Sequence, residues 1–124
     1  MKCRYCFYHD ISAARVIPSY GIMPVEITDK IIDNTFKCLD DGDEIYFAFQ
    51  GGEPSIAGLA WFRHFTETAA LRKNNIKVSY AFQTNGLLLD ESWYDFFRKN
   101  NFFLGLSIDA GSSFQDHNLV SVSG

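Results

Sequence analysis

Apolar and polar positions along the chain follow two periods, and the switches between them predict alternating helices and strands. "IPSYGIMP" carries breakers at Pro18, Gly21 and Pro24 and reads as a loop. Pro is tolerated in a first helical turn, and from Pro24 onward Ile27, Ile31 and Leu39 recur at near-helical spacing through "VEITDKIIDNTFKCLD". That helix ends at "DDGD". "EIYFAFQ" (Glu44–Gln50) is a short, nearly continuous apolar run, the pattern of a strand buried on both faces. "PSIAGLAWFRHFTETAALRKNN" places Leu59, Phe62, Phe65 and Ala69 on one helical stripe, and "IKVSYAF" alternates Ile76, Val78, Tyr80 and Phe82 as a strand. Asp90 suits the N-cap of "ESWYDFFRKN", whose Trp93, Phe96 and Phe97 point one way. "FFLGLSID" is a third apolar strand, and the tail "AGSSFQDHNLVSVSG" is polar and weakly patterned.

Helices and strands alternating through short links are the grammar of an α/β fold with a parallel sheet. Such connections lead either to an open doubly wound sheet or to a barrel. Each strand ends in a polar or glycine-rich cluster: "QGGEP", "QTNG" and "SID". Parallel strands bring those ends to one face, where barrels assemble their active sites.

The chain has 124 residues, 12 of them Phe, which is enough for one domain or part of one with a real core. A net charge of −4 with no basic cluster argues against nucleic acid or an anionic membrane as partner. No apolar stretch approaches the length of a membrane span, and the N-terminus has no signal-peptide core. These features predict a cytoplasmic protein, in which a Cys-x-x-Cys pair serves metal binding or catalysis.

Cys3 and Cys6 form such a pair, although a structural metal site needs four ligands. Gly51 and Gly52 would let the backbone approach a ligand closely, and the Glu53 carboxylate could accept hydrogen bonds from an ammonium group. The same residues also suit a plain strand-to-helix turn, with Pro54 starting the helix. "TNG" is an ordinary turn. Ser107 and Asp109 flank Ile108 and would project to the same side of their strand. His9, His64 and His117 follow no spacing pattern and are placed on the surface or in loops.

Taken in order, "KCRYCFYHD", "SYGIMP", "FAFQGGEPSIAGL", "QTNGLLLDESW" and "GLSID" resemble the radical S-adenosylmethionine superfamily and, within it, the anaerobic sulfatase-maturating enzymes. The resemblance runs along nearly the whole chain. It implies about half of a partial (βα)6 TIM-like barrel, an incomplete radical SAM core domain over residues 1–124. The rest of that barrel and a cysteine-rich domain for auxiliary clusters have no match here. The family's Cys-x3-Cys-x2-Cys motif binds a [4Fe–4S] cluster, with one iron left open to S-adenosyl-L-methionine. Cys3 and Cys6 match its second and third cysteines, and the first falls two residues before Met1. The expectation is therefore part of a longer protein, with no catalytic residue carried in this portion.

The resemblance further implies that Tyr5 contacts the cofactor's adenine through its backbone. It implies that Gly51, Gly52 and Glu53 bind the methionyl amino group and that Ser107 contacts the cofactor. Tyr8 and Gln50 would lie toward a peptide or protein substrate such as a sulfatase. Past "SID" the match departs from the family: Ala110-Gly111 stands where Gly-Pro is usual, and Leu119 where an Arg helps hold the cofactor. The implied reaction is reductive cleavage of S-adenosylmethionine to a 5′-deoxyadenosyl radical, which abstracts hydrogen from a substrate Cys or Ser. Oxidation to Cα-formylglycine follows, with electrons from a donor such as flavodoxin or ferredoxin.

Other readings of the residues are another peptide-modifying radical enzyme, a dithiol redox site at Cys3 and Cys6, and a zinc module of Cys3, Cys6, His9 and Cys38. An inert portion of the fold is the last. The dithiol leaves "QGGEP" and "SID" without a role. The zinc module draws Cys38 from a predicted helix, where a free Cys acts as a small buried hydrophobe.

Overall fold

The computed structural model describes residues 2–3, 14–17, 19–108 and 119–120. Its centre is a parallel sheet of β2 (Glu44–Phe49), β3 (Lys77–Thr84) and β4 (Phe102–Leu106), in that order. Helices α1 (Val25–Lys37), α2 (Leu59–Arg72) and α3 (Glu91–Lys99) alternate with the strands, giving the predicted α/β architecture. A two-residue strand β1 (Lys2–Cys3) pairs antiparallel with β5 (Leu119–Val120), setting the backbone of Cys3 opposite that of Leu119.

One face of the sheet carries the core. Register places Phe47, Tyr80 and Phe102 in one row across the strands, and Phe49, Phe82 and Leu104 in the next. Tyr80 and Phe102 stack with ring centroids 4.8 Å apart, while Phe62 and Phe65 of α2 meet Phe49 edge-on at 5.0 and 4.9 Å. Offset and edge-to-face aromatic packing adds attraction beyond area burial. Phe62 and Phe82 are each 1% exposed, and Trp93, Phe96 and Phe97, on one helix face as predicted, are buried against them.

The opposite face differs from expectation. Tyr46 stays 57% exposed and Phe103 70%, so β2 is covered on one face rather than two. The apolar run "EIYFAF" arises because Tyr46 and Ala48 are apolar on a side that no helix among the described residues covers, a distinction that composition does not carry.

Helix faces also needed the structure. The buried stripe of α1 is Thr28, Ile32 and Phe36, while Ile27 and Ile31 remain 43% and 42% exposed. Thr28 can sit inside because its hydroxyl donates to the Pro24 carbonyl at 3.2 Å, so no polar atom is buried unpaired. Cys38, expected inside a helix and buried, caps the C-terminus of α1 and is exposed. The predicted helix from Pro54 is interrupted: Pro54–Ala57 forms a 3-10 turn, Gly58 breaks it, and α2 starts at Leu59. The stripe Phe62, Phe65 and Ala69 is buried as read.

Asp90 caps α3 as the sequence indicates, its Oδ1 accepting the Trp93 N–H at 3.1 Å. Asp90→Ala should therefore lower stability by about 1 kcal/mol. Urea denaturation would read this as a lower midpoint with an unchanged slope.

Candidate functional site

The carboxyl ends of β2, β3 and β4 open onto the loops that carry the candidate residues. After β2 the chain turns through Gly51 at φ +123°, a conformation that a side chain would strain. A Cβ added at Gly51 or Gly52 would meet nothing within 4 Å, so this backbone faces open space. Gln50, Gly52 and Glu53 line a cavity of about 600 Å³ together with Ile22, Met23, Ile56 and Trp61. Its rim is fixed by Trp61, whose Nε1 donates to the Met23 carbonyl at 2.9 Å and ties the loop before α1 to α2.

Glu53 is held by four donors. Its Oε1 accepts the Ser55 N–H at 3.1 Å, the Ser55 hydroxyl at 2.6 Å and the Thr84 hydroxyl at 2.7 Å. Its Oε2 accepts the Asn85 N–H at 2.9 Å. Burial pushes the carboxyl pKa up. The Asn85 N–H, the Ser55 and Thr84 hydroxyls and the Ser55 N–H outweigh that and hold it below its ordinary value. Glu53 is thus a fixed anion at the cavity edge, joining the loop after β2 to the end of β3.

Thr84 is the hub of the arrangement. It is 2% exposed, its hydroxyl donates to Glu53 and accepts the Gly86 N–H at 3.1 Å, and its carbonyl accepts the Ser107 N–H at 2.9 Å. One residue therefore joins the ends of all three strands. "TNG" reads from sequence as a plain turn, and a turn is present: Gly86 has φ +78° and Asn85 Oδ1 accepts the Leu87 N–H at 2.9 Å. The missed signal was periodic, because Thr84 continues the inward series Tyr80, Phe82 and puts a hydroxyl at a core position. Thr84→Val keeps the shape but leaves the half-buried Gly86 N–H and Glu53 each short of a partner. A loss of about 1–3 kcal/mol is expected. An unchanged unfolding midpoint would remove Thr84 from this role.

Ser107 follows β4 and is exposed, its Oγ accepting a hydrogen bond from Gln83 Nε2 at 3.0 Å. Glu53, Gln50 and Ser107 thus share the carboxyl-end face of the sheet. Tyr5, Cys6, Tyr8 and Asp109 lie outside the described residues, and Cys3 is described only through its backbone pairing in β1. Among the described residues no group of three or more His, Cys, Asp or Glu could hold a metal. His64 belongs to a different tie, its Nε2 standing 2.7 Å from Asp29 Oδ1 between α1 and α2. Among the described residues no helix is long and apolar enough to cross a membrane.

The part of the site that can be tested against S-adenosylmethionine fits its amino end. Three donors already converge on Oε1 of Glu53, but among the described residues only the Asn85 N–H engages Oε2, which keeps acceptor capacity for an ammonium group beside an open backbone.

The cysteine-type anaerobic sulfatase-maturating enzyme of Clostridium perfringens (strain ATCC 13124) is 41% identical over 120 residues, covering 96% of this chain and 31% of that protein. The serine-type anaerobic sulfatase-maturating enzyme of Klebsiella aerogenes is 36% identical over 120 residues, covering 94% of this chain and 28% of its own length. Among solved structures, native anSMEcpe with bound AdoMet and Kp18Cys peptide superposes with a TM-score of 0.81 at 38% identity, over 95% of this chain and 31% of that one. The chain thus spans less than a third of these relatives' length. The family model for the Radical SAM superfamily matches residues 1–120. With the parallel sheet and its glycine–glutamate loop in place, that match over nearly the whole chain makes this protein a member of the radical SAM superfamily.

Proposed function

We propose that this chain is the cofactor-binding portion of a radical SAM core domain, in a cytoplasmic enzyme that converts a Cys or Ser of a sulfatase-type peptide to Cα-formylglycine. The observation that carries this reading is Glu53, a carboxylate kept ionised by four donors at the edge of an open cavity. A side chain serving only the turn would need no unengaged acceptor capacity there.

In this reading Cys3 and Cys6 ligate a [4Fe–4S] cluster, and thiolates suit such a cluster. Tyr5 contacts S-adenosylmethionine through its backbone, Glu53 and the Gly51–Gly52 backbone take its ammonium group, and Ser107 contacts it from β4. When bound, the cluster and S-adenosylmethionine supply the electron and the radical that begin the oxidation. Glu53 contributes a charge whose place is set before the ligand arrives, so ordering it costs little at binding. Gly51 and Gly52 keep the approach clear of side chains. Gln50, on the cavity wall, and Tyr8 face the substrate, and a flavodoxin or ferredoxin supplies electrons.

Relatives of both the cysteine and serine types match this chain, so the test uses both substrates. The full-length protein that contains this chain would be reconstituted anaerobically with iron and sulfide and mixed with S-adenosylmethionine, a reductant, and a sulfatase-derived peptide carrying Cys or Ser. Mass spectrometry should show formylglycine in at least one peptide. Binding of S-adenosylmethionine with neither peptide altered would favour a different peptide modification by the same core. No binding at all would remove the proposal.

A further inference from the structure

We propose that Gln83 is a positioning residue that fixes the Ser107 hydroxyl as a hydrogen-bond donor toward S-adenosylmethionine; this rests on the cofactor reading given above. Gln83 lies on β3 on the sheet face that leaves Tyr46 and Phe103 exposed, directly opposite Gly105 of β4. To reach Ser107 its side chain lies over Gly105 on that same face, and its Nε2 arrives 3.0 Å from Ser107 Oγ. That path depends on Gly105. A Cβ there would overlap Gln83 Oε1 and stand 3.0 Å from Cδ, so the missing side chain forms the notch in which the carboxamide lies.

The geometry has a chemical consequence. A serine hydroxyl has a single proton to give. Because Oγ accepts from the carboxamide, that proton has to point away from Gln83. The Ser107 backbone cannot swing to compensate, since its N–H is held by the Thr84 carbonyl at 2.9 Å. Ser107 is therefore presented as a donor over the open sheet face, beside the same strand end that holds Glu53. Gln83 acts through Ser107, and from sequence it reads only as part of the turn.

Two substitutions separate this from a structural role. In Gln83→Glu the carboxylate only accepts, so the Ser107 proton turns toward it and away from the ligand. Gly105→Ala displaces the flexible end of Gln83 at a backbone position that alanine tolerates, so the melting temperature should not fall. In the ligand-free chain, the Gln83 side-chain amide resonances should shift in both Ser107→Ala and Gly105→Ala. By calorimetry with S-adenosylmethionine, Gln83→Glu and Gly105→Ala should each weaken binding about tenfold, the scale of one hydrogen bond. In a Ser107→Ala background, Gln83→Glu should add less than about twofold, because its route of action is gone.

Binding equal to wild type in both variants would overturn the proposal alone and leave the cofactor reading standing. So would a Gln83→Glu loss that persists undiminished without the Ser107 hydroxyl. Full-length, cluster-loaded wild-type protein with no affinity for S-adenosylmethionine would overturn both together.

Discussion

Glu53→Ala should abolish detectable S-adenosylmethionine binding and at the same time destabilise the fold by about 2–4 kcal/mol, the scale of losing several hydrogen bonds to one charged acceptor. The two effects have separate origins. Binding is lost with the anion that would face the ammonium group. Stability is lost because Ser55 and Thr84, 4% and 2% exposed, are left with hydroxyls deprived of their acceptor, and the bond from the Asn85 N–H to Oε2 goes with them. Glu53→Gln divides the effects. It keeps the size and one acceptor oxygen, so less stability should be lost, but it removes the charge and with it most of the binding.

Acid provides an independent check. The folded pKa of Glu53 lies below its unfolded value of 4.5, so its contribution to stability is fully present above 4.5 and is lost as pH falls through the folded pKa. Unfolding midpoints measured against pH should fall less steeply in Glu53→Gln than in the wild-type protein across that acid range. Parallel profiles for the two proteins would show that the four donors do not favour the ionised form.

Phe62→Ala should be the most destabilising single change, at about 3–5 kcal/mol. Phe62 is 1% exposed, and its ring meets Trp61 at 4.9 Å, Phe49 and Phe82 at 5.0 Å, and Trp93 at 5.5 Å. It thus joins α2 to β2, β3 and α3 at one point, and truncation leaves a cavity among rigid rings that cannot collapse to fill it. Against a total stability of about 5–15 kcal/mol for a typical domain, such a loss brings the protein close to unfolding. Urea denaturation followed by tryptophan fluorescence would measure it. Phe62→Leu, which keeps most of the apolar volume, should lose much less. A loss in Phe62→Ala below about 1.5 kcal/mol would mean that α2, β2, β3 and α3 do not depend on each other through this residue.

The elements that were legible in sequence share a physical property: each is set by local chemistry. Asp90 caps because its side chain reaches its own helix's N–H groups, and Phe62, Phe65 and Ala69 fall on one stripe because the helical period puts them there. The ordered motifs from "KCRYCFYHD" to "GLSID" were enough to indicate the superfamily, and Glu53 could be named because it stands inside one of them. Other elements were misread where the answer depends on what packs against a segment. Thr28, Ile32 and Phe36 face inward although Ile27 and Ile31 are as apolar as any residue of α1, and the choice was made by α2 and the sheet. The helix expected from Pro54 is split at Gly58, and the separate short turn leaves Ser55 positioned to donate twice to Glu53.

By itself the sequence determined the alternation of helices and strands, the parallel α/β class, the aromatic core and the glycine–glutamate loop, because periodicity and motif spacing are properties of neighbouring positions. Only the tertiary structure decided that Thr84 joins three strand ends, that one face of the sheet stays open, and that Gly105 makes room for Gln83 to reach Ser107. Those contacts join residues from different strands, 31 positions apart for Glu53 and Thr84 and 24 for Gln83 and Ser107. No local pattern encodes such pairs; strand order and register bring them together.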